Sequence, residues 1–209
     1  MLKAERLDYQ KNQGLDLSNL IKNPFEQFLL WFGFAVEADA FHANAMVLST
    51  VHDNSPSSRV VLLKEMDEKG FVFFTNYTSA KSKEIDANKN AALLFFWKEL
   101  ERQIRIEGVL EKVSEENSNE YFKTRPRESQ IGAWASPQST TITRAELEKR
   151  VEEFTKKFEG HEVPRPEHWG GFRLVPTCFE FWQGRAGRLH DRFVYENKNG
   201  VWEIGQIAP

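Results

Sequence analysis

The chain has 209 residues, 40% of them hydrophobic and 28% charged, enough for one domain with a sizeable core. Its formal net charge of −3 excludes a general nucleic-acid binder, which needs a broad basic surface. A single cysteine, Cys178 in the apolar run "TCFEFW", excludes an internal disulfide and a cysteine-based zinc site and reads as a structural thiol.

Residues 1–20 are polar and read as an arm, leaving residues 21–209 as a single domain. "MLKAERLDYQKNQGLDL" has no signal-peptide pattern, and the longest apolar stretch, 28–36, is too short to span a bilayer. The expectation is a cytoplasmic protein without membrane or nucleic-acid partners. Residues 23–40 read as a helix, with Asn23 as N-cap and Pro24 at the first helical position. Short β-branched and aromatic runs follow at 44–52, 58–66 and 70–76, with a hairpin turn at 67–70.

A polar helix is expected at 79–90, then strands at 91–99 and 102–113. The second alternates, with Ile104 and Ile106 on one face and Gln103, Arg105 and Glu107 on the other. From 114 to 158 the pattern is helical, opened by Ser114 and broken at Pro126, with Thr143 capping a charged amphipathic helix. A loop at 162–172 leads into the strand "FRLVPTCFEFWQ", and two last strands flank 196–200, whose Asn199-Gly200 suits a hairpin turn. Five to seven strands with helices inserted late predict an α+β fold on an antiparallel barrel, because a doubly wound parallel sheet would alternate strand and helix.

Neither a glycine-rich phosphate loop, nor metal-spaced histidines, nor a G-x-S-x-G elbow occurs. An anion must therefore be held by side chains, and three groups are candidates. Arg59 and Lys64 end the apolar run "RVVLLK"; five apart, they face opposite ways on a regular strand, or simply mark its wet ends. Tyr121 and Arg125 are spaced i, i+4, with Ser129 in the first turn after Pro126. That makes either a phosphate site near a helix N-terminus or a solvated corner. In "GRAGRLHDRF" (184–193), a strand from 188 to 192 would put Arg188, His190 and Arg192 on one face and Leu189 and Asp191 on the other. With Trp182 and other aromatics for a flat ring, the residues alone indicate a phosphate-bearing aromatic ligand and no particular reaction.

These segments, in this order, closely resemble the pyridoxine/pyridoxamine 5′-phosphate oxidases. The resemblance is carried by "RVVLLK" (59–64), "GFVFFTN" (70–76), "LERQIRIEG" (100–108), "YFKTRPRESQIGAWASPQS" (121–139), "VPRPEHWGGFR" (163–173), "FEFWQG" (179–184), "RLHDRF" (188–193) and the ending "IAP". It implies an FMN-binding antiparallel split β-barrel with flanking helices, assembled as a homodimer with its active site at the subunit interface. FMN would be held by Arg59, Val60, Val61, Leu62, Leu63 and Lys64, by Phe74 and Thr75, by Lys81, Gln103, Gln138 and Ser139, and by Trp182 and Arg192. Lys64, Tyr121, Arg125 and Ser129 would take the substrate phosphate and ring, with Arg188 and His190 over the reacting carbon and Leu189 also contacting the substrate. Arg188 and His190 would be the catalytic pair, and Arg6 and Tyr9 would belong to an arm that closes over the substrate.

The implied reaction oxidises the 4′ carbon of pyridoxine or pyridoxamine 5′-phosphate to give pyridoxal 5′-phosphate. FMN accepts the hydride and dioxygen is the final acceptor, with hydrogen peroxide released, and ammonia from the amine. The alternative is a split-barrel protein that binds FMN or pyridoxal phosphate and has another substrate or a carrier role. Two positions depart from the family pattern: Phe74 stands where many members have tyrosine, and Ala80 where many have arginine. Ala80 is thereby left with a backbone contact to FMN, and Lys83 is the nearby cation that could compensate.

Overall fold

Strand alternation and proline placement shape a single antiparallel sheet in the computed structural model, which describes Tyr9 and residues 14–209. Arg6 lies outside the described residues. In chain order the elements are α1 (Pro24–Ala38), β1 (Ala45–His52), β2 (Ser55–Leu62), β3 (Glu65–Asp67), β4 (Gly70–Asn76), α2 (Ala80–Ala87), β5 (Asn90–Trp97) and β6 (Arg102–Lys112). Then come α3 (Glu115–Thr124), α4 (Arg127–Ala135), α5 (Arg144–Lys157), β7 (Trp169–Gln183), β8 (Asp191–Lys198) and β9 (Val201–Ile207). The fold is the expected α+β split barrel, with nine strands among the described residues where five to seven were expected.

The strand order is β2-β1-β5-β6-β7-β4-β3, with β8 and β9 branching from β7. β7 is the fork. Residues 169–174 pair with β4 and residues 178–183 with β8, while β6 runs along both halves. Between the halves the β6–β7 register shifts at Glu107/Gly108, opposite Pro176, which has no N–H to offer a ladder. Gly108 is required there, because a Cβ would lie 2.1 Å from the Val175 carbonyl oxygen. The barrel closes where the Leu63 amide donates to the Asn44 carbonyl and the Lys64 amide to that of Val72, both at 2.9 Å.

That closure corrects one expectation. Residues 58–66 are not one strand: β2 ends at Leu62 and β3 starts at Glu65, because residues 63 and 64 bond to different strands. Lys64 is therefore not on the strand that carries Arg59, and the opposite-faces reading does not apply. A second correction concerns residues 188–192. Ala186–Arg188 form a 3-10 turn with Gly187 at φ +64° and Arg188 at φ +62°, and β8 begins only at Asp191. Arg188, His190 and Arg192 do not share a strand face. β7 also starts at Trp169, inside the segment read as a loop.

Inward positions of the strands build a phenylalanine-rich core: Phe71 and Phe73 on β4, Phe95 on β5, Phe179 and Phe181 on β7, and Phe193 on β8 are at most 1% exposed. Asn23 caps α1 by accepting from the Phe25 amide, and Pro24 follows at the first position. The helix lays Phe25, Phe28, Trp31 and Ala35 on this core, an i, i+3, i+4 stripe. A smaller apolar cluster of Phe122, Ile131, Phe158, Val163 and Trp169 joins α3 and α4 to the start of β7. Thr143 and Glu146 form a full capping box on α5.

Candidate active site

An open cleft of about 660 Å³ lies between β2, the end of β4, the start of α2 and the α3–α4 corner. Lys81, in the first turn of α2, lines it. Its Nζ donates to Thr75 Oγ1 at 3.0 Å, Ser79 Oγ at 3.1 Å and Gln138 Oε1 at 3.0 Å, all neutral acceptors. Burial first, and then the nearby Arg59 cation, pull its pKa below the usual lysine value. An anion bound here would counter both effects.

Arg125 also lines the cleft, and Pro126 does the positioning. A residue before proline is pushed out of the helical region, and Arg125 is accordingly extended (φ −73°, ψ 144°), the C-cap of α3 rather than its next helical residue. The i, i+4 helix-face relation to Tyr121 is corrected to that extent. The Arg125 guanidinium lies over the Trp169 ring at 4.5 Å, and its Nη1 is buried without a hydrogen-bond partner. Burial lowers its pKa. Phe74 stacks on Tyr121 at 3.9 Å and runs parallel to Trp169. Burial raises the Tyr121 pKa, keeping its hydroxyl protonated. Ser129, in the first turn of α4, and Lys64 line the same cleft.

Arg59 does not line the cleft. Its Nη1 donates to Leu48 O and Thr50 Oγ1, and its Nη2 to Ser57 Oγ and, at 2.6 Å, to Glu84 Oε2. Glu84 also accepts from Thr50, and nothing in the sequence pattern pointed to it. Burial pushes the Glu84 carboxyl up, but hydrogen bonds from Thr50 and Arg59 outweigh that and leave it below the ordinary 4.5. A carboxylate with a depressed folded pKa stabilises the fold above its unfolded pKa and loses that contribution as pH falls through the folded one. Glu84→Gln is therefore expected to be less stable than the parent at neutral pH, with the gap narrowing below pH 4.5. Thermal melts of both proteins across that range check it, and a gap that stays constant rules it out.

A second group forms on the outer face of β6, β7 and β8. Register sets Gln103 opposite Trp182, and Trp182 opposite Arg192, while Ile104, Phe181 and Phe193 point into the core. Beside this row Glu180, only 2% exposed, accepts from Arg192 Nε at 2.7 Å, and its other oxygen lies 2.9 Å from Arg105 Nη2 without hydrogen-bond alignment. The Glu180 hydrogen bond raises the Arg192 pKa. Sequence reasoning missed Glu180; its signal was a carboxylate between phenylalanines in "CFEFW". The Trp182 and His190 ring centroids are 4.6 Å apart, and Tyr9 sits edge-on to both at 5.5 and 5.8 Å. His190 Nδ1 accepts from the Arg185 amide at 3.1 Å. Asp191 Oδ2 accepts from the Leu15 amide at 2.8 Å, tying the base of the arm to this turn.

The expected residues thus fall into two groups. The cleft gathers Val60, Val61, Leu62, Lys64, Phe74, Thr75, Lys81, Tyr121, Arg125, Ser129 and Gln138. The outer row gathers Gln103, Trp182 and Arg192, with Tyr9 and His190 against Trp182. Arg188 and Leu189 are exposed on the adjoining turn. Leu63 is buried, Ala80 is exposed at the start of α2, and Ser139 is exposed at φ +70° beside Gln138. Among the described residues there is no cluster of metal-ligating side chains, and no helix is long and apolar enough to cross a membrane.

Residues 35–158 match the family model described as pyridoxamine 5′-phosphate oxidase, and residues 169–209 match that of the pyridoxine 5′-phosphate oxidase C-terminal dimerisation region. The chain belongs to the pyridoxamine 5′-phosphate oxidase family. Among curated relatives named pyridoxine/pyridoxamine 5′-phosphate oxidase, that of Nostoc punctiforme is 52% identical over 98% of this chain and 96% of its own length. That of Bordetella pertussis is 56% identical over 90% of each. Among solved structures, PhzG from Burkholderia lata, in complex with tetrahydrophenazine-1-carboxylic acid, superposes with a TM-score of 0.86 at 29% identity, covering 92% of this chain and 95% of PhzG. The resemblance read from the sequence is thereby borne out. The segment that holds Trp182 and Arg192 lies within the part of the chain matched to the dimerisation region.

Proposed function

We propose that this family member is an FMN-dependent homodimeric oxidase that converts pyridoxine and pyridoxamine 5′-phosphates to pyridoxal 5′-phosphate. The observation that carries the reading is a pair of desolvated cations lining one cleft. Lys81 has only neutral acceptors within hydrogen-bond distance, and Arg125 Nη1 has none. Two such groups suit two phosphates, one on the cofactor and one on the substrate. The residues around Lys81 therefore fit FMN, with Thr75 and Gln138 beside its phosphate.

The dimer completes the site. Val60 is 65% exposed and Leu62 45% exposed on the rim of the cleft, apolar surface that suits a partner subunit. The row Gln103–Trp182–Arg192 of one subunit would then face the cleft of the other, bringing Arg188 and His190 over the substrate. FMN, when bound, supplies a two-electron acceptor that dioxygen reoxidises with release of hydrogen peroxide. The chain's own part is positioning. Lys64, Tyr121, Arg125 and Ser129 grip the substrate phosphate and set the ring's register, and Arg188 and His190 orient the 4′ substituent.

The deciding experiment is oxygen uptake by the FMN-loaded protein with pyridoxamine 5′-phosphate and then pyridoxine 5′-phosphate. Uptake matched by pyridoxal 5′-phosphate formation is expected. FMN bound without uptake on either substrate would sink the reading. It would leave a carrier, or an oxidase of another anion such as the carboxylic acid held by PhzG.

A further inference from the structure

The turn at 184–191 holds a constraint on His190 that its place in the site does not by itself require. Arg185 is extended (φ −138°, ψ 152°), and the left-handed Gly187 and Arg188 then reverse the chain. The reversal returns residue 190 to the amide of residue 185, and that N–H donates to His190 Nδ1 at 3.1 Å. A backbone amide can only donate, so Nδ1 must present its lone pair and the ring proton of the neutral imidazole sits on Nε2. A protonated Nδ1 would set donor against donor. Trp182, with its centroid 4.6 Å away, and Tyr9, edge-on at 5.8 Å, fix the plane of the ring. Among the described residues Nε2 makes no hydrogen bond.

We infer that the Arg185 main-chain amide is a positioning group that locks His190 as an Nε2–H donor. The inference rests on the functional reading above for what the donor meets: a lone pair on the oxygen or nitrogen at the substrate's 4′ carbon. With the one ring nitrogen that has no partner among the described residues already an N–H, His190 orients that atom and is not the acceptor of its proton. Of the two roles open to a histidine there, hydrogen bonding or proton relay, the turn selects the first.

The test needs no turnover. Histidine-nitrogen NMR of the full-length protein, without substrate and at a pH where imidazole is neutral, is expected to show His190 as the Nε2–H tautomer. A His190 Nδ1–H signal overturns the inference. Hydrogen exchange at the Arg185 amide supplies the second readout. His190→Ala is expected to speed it about tenfold, the scale of one hydrogen bond. His190→Asn, whose Oδ1 can stand in for Nδ1, is expected to restore protection. Unchanged exchange in His190→Ala overturns the inference as well. Oxygen uptake decides the reaction and these spectra decide the tautomer, so either can fail alone.

Discussion

Replacing Arg125 by alanine is expected to raise the KM for the phosphorylated substrate about ten- to a hundredfold and to leave kcat largely unchanged. The side chain is held by Pro126 and the Trp169 face before any ligand arrives, and Nη1 has no protein partner. Its hydrogen bond to a phosphate would be charge-assisted and worth about 1.5–3 kcal/mol. Because the phosphate is remote from the reacting carbon, that energy binds ground and transition states alike and appears in KM. The same substitution should not destabilise the protein by the usual amount for a half-buried residue. A desolvated, unpaired cation is a cost to the folded state, and removing it offsets lost packing on Trp169. Steady-state kinetics together with a thermal melt test both halves. An unchanged KM would take Arg125 out of the phosphate site.

The second large effect is on stability. Phe28→Ala is expected to cost about 3–5 kcal/mol, or roughly 6–20 °C in Tm for a chain of this size. Phe28 is 1% exposed, and its ring centroid is 4.8 Å from Phe71 and 5.1 Å from Phe95, so it joins α1 to two strands at once. Phe34 on the same helix is 41% exposed, and its truncation should cost less than about 1 kcal/mol. Thermal unfolding of the two variants side by side separates burial from residue type. Equal losses would mean that α1 is not packed on the barrel through its Phe28 face.

Much of this architecture was legible residue by residue. Ile104 and Ile106 alternate with Gln103, Arg105 and Glu107, and the burial of β6 follows that alternation. Asn199-Gly200 makes the turn between β8 and β9, with both residues at positive φ, and Thr143 caps α5. The break after Leu62 was not legible, because the apolar run continues through Leu63, and only barrel closure decides where the chain leaves one strand for another. Nor was the turn at Arg188, where a non-glycine residue takes a left-handed conformation that local propensity disfavours. Within the site, the cationic and aromatic candidates came from residue type and spacing and the remaining identities from the resemblance, whereas their grouping came from pairing. Gln103, Trp182 and Arg192 are far apart in the chain and meet only through the registers of β6, β7 and β8. Glu84 was invisible for a similar reason: its bond to Arg59 crosses from α2 to β2.

The forked strand has a consequence for how the protein can vary. One end of β7 carries Trp169, the ring beneath Arg125, and the other carries Trp182. At 15 residues the strand is a ruler about 50 Å long. It spaces Trp169, on the cleft, from Trp182, in the segment matched to the family's dimerisation region. Loops on the rim can lengthen or shorten without moving either end. A single residue gained or lost near Pro176 would turn Trp182 to the opposite face. Tolerance to insertion should therefore be lowest in the middle of this strand, which does not line the cleft.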